Sequence, residues 1–355
     1  VLSLLSESWS AMGFPWGLLG RDMAVDLGTA NTLVYVRKKG VVLDEPSVVA
    51  INLHTDRIVA VGTAAKEMIG RTPPHIATLR PLKDGVIADL DAAERMLRHF
   101  IQAAHKNRYL AKPRVVVAVP SGTTSVEQRA VREAAYEAGA RRVHIIEEPM
   151  AAAIGAGLNV GATTGNMVVD IGGGTTEVAI VSLGGVVVSK SVRVGGDELD
   201  EAIVNYVKKE HSLMLGERTA EHIKIKLGGT RPRDDDATPM PIRGRDLVTG
   251  LPKTATITRA QVREAIEDQV QTIVDAVQST LDQCPAELAG DLIDNGIVLT
   301  GGGALLDGLP ERLEHAVGMP IHLVDQPLQS VVLGAGRCVE RFDEMQDVFL
   351  PETRR

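Results

Sequence analysis

Asp26 and Asp170 each end an apolar run and open a turn of glycines and hydroxyl residues: Asp26-Leu27-Gly28-Thr29-Ala30-Asn31 in one case, Asp170-Ile171-Gly172-Gly173-Gly174-Thr175 in the other. Such a turn gathers backbone N–H groups into an anion nest, and the carboxylate behind it can hold magnesium through water, so the chemistry that suits the pair is a grip on a nucleotide's phosphate tail. Either turn alone reads more readily as a plain β-turn. Two copies are harder to obtain by turn chemistry, especially with a third junction at 297–306. There an apolar strand runs through Gly301, Gly302 and Gly303 into an expected helix whose N-terminal amides would face a ligand. Hydrolysis of a phosphoryl group further needs a side chain that orients water in line. Glu148 suits the task, because Pro149 after it has the fixed φ of a first helical turn and would hold the carboxylate at a helix start. Its neighbour Glu147 is the alternative, and both acids are also what a helix dipole favours at an N-terminus.

Competing chemistries lack their residues. The chain has no Gly-Lys pair for a Walker loop, no G-x-G-x-x-G, no H-E-x-x-H and no G-x-S-x-G, and its nine histidines are scattered. Two distant cysteines, Cys284 and Cys338, supply neither a disulfide framework nor a zinc site and fit a reducing cytoplasm. A formal charge of −8 argues against a phosphate-backbone coat, so no nucleic-acid partner is expected. Aromatic residues make up only 3 % against 35 glycines, which favours a ligand held by backbone and small side chains.

The elements that must position these groups follow from length and periodicity. A chain of 355 residues holds two or three cores. From Met23 onward strand-like and helix-like periods alternate, the pattern of an α/β architecture. Segments 23–36 and 167–183 share one plan of strand, Asp, glycine turn and second strand, and their Asp residues lie 144 positions apart, about a domain's length. Two similar halves could therefore each offer a hairpin to a shared cleft. Capping-box spacing at Asp91/Glu94, Ser125/Gln128 and Thr258/Gln261 predicts helices near 92–105, 126–138 and 259–282. Segment 228–241, with glycine, prolines and an acidic run, reads as an exposed loop. Residues 1–20 form an apolar leader that carries Trp9, Phe14 and Trp16 and one charge, Glu7. It is too broken to span a bilayer, and its stripe of Leu2, Leu5, Trp9 and Met12 suits either a membrane interface or docking on the body.

Taken together, Asp26 to Thr32, Glu147-Glu148-Pro149-Met150-Ala151-Ala152-Ala153, Asp170 to Glu177 and Leu299-Thr300-Gly301-Gly302-Gly303 resemble the ATPase motifs of the actin superfamily, and within it most closely the MreB family of bacterial actins. The resemblance runs from about Asp22 to about Arg341. It implies an α/β, actin-like ATPase fold: two duplicated ribonuclease-H-like domains, each with a smaller subdomain, and ATP with Mg2+ in the central cleft. The division expected is a leader at 1–21, domain I at 22–160 with a small subdomain about 48–83, domain II at 161–329 with one about 199–258, and a segment 330–355 returning to domain I. By the same resemblance, Asp26 and Asp170 face the metal through its waters. Gly28, Thr29, Ala30, Asn31, Gly172, Gly173, Gly174 and Thr175 form the two phosphate loops. Gly301, Gly302 and Gly303 match the adenosine motif, Glu221 and Lys224 the helix beside adenine and ribose, and Gly196 and Asp197 the approach to the sugar. Glu148 and Asp170 would carry the catalytic step. From the residues alone, Glu221 and Lys224 are equally an i,i+3 surface ion pair.

The function that the resemblance implies is an ATP-dependent filament former that stacks head to tail with copies of itself, lies peripherally at the inner face of the plasma membrane, and works with wall-elongation membrane proteins. Membrane contact would come from Trp9 and Trp16 in the leader and from Tyr109 and Leu110, an apolar pair flanked by Lys106, Arg108 and Lys112. The alternatives are a soluble actin-fold phosphotransferase for a small polyol or acid, and a paralogue of the same fold with another cellular role. Against the phosphotransferase, little of the chain is left over for a substrate domain.

Overall fold

The computed structural model describes residues 21–105 and 112–351. Two five-stranded sheets organise it. In the first, strands lie in the order Gly40–Pro46, Asn31–Val36, Met23–Leu27, Arg114–Val119, Arg142–Glu147. In the second the order is Gly185–Val192, Thr176–Ser182, Asn166–Ile171, Ile297–Thr300, Ile321–Leu323. Each sheet makes its first two pairings antiparallel and its last two parallel, so the two halves repeat one topology. The inner strands read as near-continuous apolar runs because both of their faces are covered: Val115 to Val119 and all of Thr176–Ser182 are buried. The outer strand Gly185–Val192 mixes valines with glycine, serine and lysine, and its residues alternate between exposed and half-buried.

Three larger cores follow. Helices Leu90–Ala104 and Ser125–Glu137 cover the outer face of the first sheet, burying Met96, Leu97 and Phe100. Helices Gly196–His211 and Arg259–Leu281 cover the second, through Leu199, Ile203, Val270 and Ile273. Between the sheets lie Glu148–Gly155 and Ser330–Glu340, two short helices rich in alanine and glycine, packed on Ala24 and Val116 of one sheet and Val168 and Val298 of the other. They cross so closely that a Cβ on Gly155 would come within 1.8 Å of the Ser330 carbonyl, and one on Gly334 within 1.8 Å of the Ala151 carbonyl. After the second helix the chain lies on the first sheet, with Phe342 and Phe349 against the His144 ring and Leu350 N donating to Ile145 O. Two small three-stranded sheets and a short antiparallel pair, Leu82–Lys83 with Val86–Ile87, complete the architecture. One sheet is built from Val49–Asn52, Arg57–Val61 and Ile76–Leu79, the other from Leu213–Met214, Met240–Asp246 and Pro252–Ile257.

Four local expectations are corrected. Asp89, not Asp91, caps helix Leu90–Ala104, accepting from Ala92 N at 2.9 Å. Thr124 and Glu127, one residue ahead of Ser125 and Gln128, make the capping box of Ser125–Glu137. The spacing fits both registers, and the extended backbone of Thr124 selects the first. The Thr258/Gln261 box stands where its spacing puts it. The three glycines at 301–303 enter only a 3-10 turn, Gly302–Leu305, because Gly301 sits at φ +85, outside helical space, and the next helix starts at Leu309 behind Gly308. The 228–241 loop is exposed or half-exposed from Arg231 to Met240, but Gly228, Gly229 and Thr230 are buried against Asp307.

Candidate functional site

Each central strand carries its Asp one residue before its end, Asp26 in Met23–Leu27 and Asp170 in Asn166–Ile171. Ligands in open α/β sheets gather outside such carboxyl ends. A cavity of about 850 Å³ opens there between the halves. It is lined by Asp26, Gly28, Thr29, Ala30, Asn31, Glu148, Asp170, Gly172, Gly173, Gly174, Thr175, Gly196, Asp197, Glu221, Lys224, Gly301, Gly302 and Gly303, so the residues assigned above to metal, phosphate, sugar and base meet in one place. Glu147 does not line it and instead sits at the N-cap position of helix Glu148–Gly155, without a side-chain capping bond. Trp9, Trp16, Tyr109 and Leu110 lie outside the described residues.

The two glycine turns face each other tip to tip. A Cβ on Gly173 would stand 2.6 Å from Ala30 Cβ, and one on Gly174 2.9 Å from Thr29 Oγ1, so side chains at either position would force the halves apart. The first turn is held from behind by Ser47, whose Oγ donates to Gly28 O at 2.6 Å and whose N–H reaches Ala30 O at 2.9 Å. Gly85 N donates to Thr29 Oγ1 at 3.0 Å. The second turn is closed by Gly172 N to Thr175 O at 2.8 Å. Its carbonyls at Gly172 and Gly173 accept from Gly196 N at 3.0 Å and Asp197 N at 2.7 Å, so these two residues brace the turn while lining the cavity. With those carbonyls engaged, they are withdrawn from repelling phosphate oxygens.

Electrostatics set the cavity's character. Burial, with the Asp44 charge adding to it, pushes the Asp26 carboxyl up to about 7. Burial, then Asp26 and Glu177, push Asp170 up to about 8. Glu148 is held well above the usual carboxylate range by burial, then by the charges of Asp26, Glu177 and Asp170. These acids crowd one low-dielectric space, where a bound cation would relieve their mutual repulsion. No three acidic, histidine or cysteine side chains among the described residues come close enough to hold a metal directly. Opposed carboxylates on separate turns therefore fit a hard divalent ion that keeps its waters, as magnesium does.

Gly301 and Gly303 bring backbone against the second turn: at Gly301 a Cβ would meet Ile171 O at 2.3 Å and Asp170 Oδ1 at 2.4 Å. Beyond them Ile225, Leu305 and Leu328 line the cavity while remaining 73 %, 55 % and 56 % exposed, an apolar lip suited to the faces of a base. Glu221 and Lys224 do not pair with one another. Lys224 turns inward to Gly196 O at 2.6 Å and Asp200 Oδ2 at 3.0 Å, and Glu221 meets Lys66. Burial raises Asp200 to about 6 despite Lys224, and raises Asp197 as well.

Sequence reasoning assigned no role to Lys66, Asp200, Ser121 or Glu177. Only Glu177 left a signal. It interrupts an apolar strand, at the register position opposite Asp170 where the first half has Leu33 opposite Asp26.

Residues 20–347 match the MreB/Mbl protein family. The cell shape-determining protein MreB of Escherichia coli K12 is 52 % identical over 334 residues, 92 % of this chain and 95 % of that protein. The cell shape-determining protein Mbl of Bacillus subtilis 168 is 46 % identical over 328 residues, 92 % of this chain and 98 % of that one. Among solved structures, MreB5 of Spiroplasma citri bound to AMPPNP superposes with a TM-score of 0.86 at 39 % identity, covering 92 % of this chain and 97 % of that one. The same protein bound to ADP also gives 0.86.

Proposed function

The chain belongs to the MreB/Mbl family, and from that premise we propose that it is an actin-like ATPase whose filaments determine cell shape. The observation that carries the nucleotide reading is the meeting of two acidic glycine turns from duplicated sheets over one cavity. Relatives named for determining cell shape support the cellular role, and the AMPPNP and ADP bound by the S. citri protein support ATP as the ligand. We take residues 22–160 and 161–329 as the two domains, with 330–355 returning to the first.

In this reading the amides and hydroxyls of residues 28–31 and 172–175 bind the β- and γ-phosphates. Asp26 and Asp170 orient the waters of magnesium, which when bound supplies charge neutralisation for phosphoryl transfer. Glu148, fixed in the first turn of its helix, orients the attacking water and, with its raised affinity for a proton, can accept one from that water. Leu305, Leu328 and Ile225 enclose the base. ATP favours head-to-tail stacking of copies, and hydrolysis favours their release.

Membrane attachment and wall-elongation membrane proteins as partners belong to the same proposal. Support for the former comes from the ends of the two apolar segments: Arg21, directly after the leader, donates its N–H to His105 Nε2 at 3.2 Å, and His105 directly precedes residues 106–111. The described residues that border the two segments thus meet at one spot, as a two-part anchor requires. Among the described residues no helix is long and apolar enough to cross a membrane. The deciding experiment is sedimentation with and without magnesium-ATP, beside a screen for phosphate acceptors other than water. Nucleotide-dependent pelleting with water as sole acceptor is expected, and transfer to a polyol or acid without pelleting would establish the phosphotransferase instead.

A further inference from the structure

Glu177 is 1 % exposed, yet its carboxylate is fully engaged. Oε2 accepts from Ser121 N at 3.0 Å and from Ser121 Oγ, and Oε1 accepts from Ser191 Oγ at 2.5 Å. The partners come from different halves. Ser191 lies on Gly185–Val192 in the second sheet, whereas Ser121 follows Arg114–Val119 in the first and is itself buried. Glu177 stands two residues after Thr175, at the base of the second phosphate turn. The neighbourhood is tight: a Cβ on Gly85 would lie 2.6 Å from Pro120 Cγ and 3.1 Å from Thr175 Cγ2, and Gly85 N holds Thr29.

The water-orienting Glu148 rides on the first half, behind Arg142–Glu147, while Thr175 and the second phosphate turn ride on the second. In-line attack needs both at fixed separation, and a displacement of about 1 Å can cost about a hundredfold in rate. We propose that Glu177 is a positioning residue for hydrolysis: by clamping Ser121 it sets the distance between Glu148 on one half and the second phosphate turn on the other. This rests on reading the cavity as an ATPase site. Neither Glu177 nor Ser121 lines the cavity, so loss of the clamp should lower kcat and leave nucleotide affinity alone.

Glu177→Gln discriminates charge from geometry, since the amide oxygen can still accept from Ser121 and the amide nitrogen can donate to Ser191 Oγ. In the full chain with magnesium-ATP, Glu177→Ala is expected to lower kcat by about tenfold or more with KM and the ADP dissociation constant within about threefold, and Glu177→Gln to restore most of the loss. Turnover of the Ala variant near wild type, equal losses in Ala and Gln, or a parallel loss of ADP affinity would each overturn the proposal. Should Glu177→Ala fail to fold, Ser121→Ala removes one hydroxyl and keeps the amide link. A fall in kcat of about threefold at constant affinity is then expected, and unchanged kcat overturns the clamp. Hydrogen exchange at the Ser121 amide separates the two readings. Wild-type protein that neither binds nor hydrolyses ATP defeats the ATPase assignment, whereas a Ser121 amide equally protected in wild type and Glu177→Ala defeats the clamp.

Discussion

Lys66 Nζ stands 2.8 Å from Glu221 Oε1, joining helix Thr63–Met68 of the first half to helix Glu217–Leu227 of the second across the cavity mouth. Arg80 and Glu217 make a second pair across the same gap, and Arg218 Nη1 reaches Glu67 O at 3.3 Å. These contacts tie the two halves together beside the cavity, which Lys66 and Glu221 themselves line.

Lys66 and Glu221 are partly exposed, which limits their pairing to about 0.2–1 kcal/mol, or up to about fivefold in an equilibrium. Lys66→Glu should therefore speed nucleotide release by about two- to fivefold, measured with a fluorescent ATP analogue, and less at high salt. The swap Lys66→Glu with Glu221→Lys should recover the slow rate. Equal release rates in the single variant and the wild type would show that the mouth is held by other contacts.

If Glu148 has the proposed role of orienting water without gripping the phosphates, Glu148→Ala should retain nucleotide binding and lose phosphate release by at least about a hundredfold. Asp170→Ala should instead lose magnesium-dependent binding. Stopped-flow phosphate release and equilibrium binding, run side by side, distinguish them, and unchanged turnover in Glu148→Ala would transfer the role elsewhere.

Asp26 at about 7 and Asp170 at about 8 hold protons that the unfolded chain, at its ordinary value of 3.8, has already released. Their contribution to stability is complete below that ordinary value and is lost as pH rises through about 7 to 8. The melting midpoint of nucleotide-free protein should fall from about pH 6 to about pH 8, Asp170→Asn should flatten the decline, and magnesium-ATP should offset it. A midpoint that climbs over this range contradicts the picture of uncompensated acids.

Gly334→Ala would place a Cβ within 1.8 Å of the Ala151 carbonyl, a backbone atom that cannot step aside. A loss of about 2–3 kcal/mol, read by chemical denaturation, is expected. The control is Gly290→Ala on exposed helix Ala286–Asn295, where nothing lies within 4 Å and a gain of about 0.5–1 kcal/mol is expected. Equal stability of the two variants would show that the helix crossing yields.

Deleting residues 1–20 together with Leu110→Asp should abolish flotation with anionic liposomes, and either change alone should weaken it. Undiminished flotation of the doubly altered protein would move membrane contact to another surface.

The sequence made Asp26, Asp170 and the glycine turns legible because strand, acid and turn are contiguous and occur twice. Glu148 was legible for a similar reason, since Pro149 fixes a helix start within one residue. Lys66 with Glu221, and Ser121 with Glu177, were not. Their partners lie 155 and 56 positions apart, and only the packing of two finished sheets brings them within reach. Thr124 and Asp89 show the smaller failure, in which spacing names a cap to within a residue or two and backbone dihedrals choose among neighbours.

Leu33 and Glu177 occupy matching places in two copies of one strand order. A chimera assembled from two first halves would reproduce the outline and lack any acid to reach across. One assembled from two second halves would set a second carboxylate in the place of Leu33, on the cavity wall. The frame thus repeats while its contents do not, and that inequality gives the molecule a front and a back.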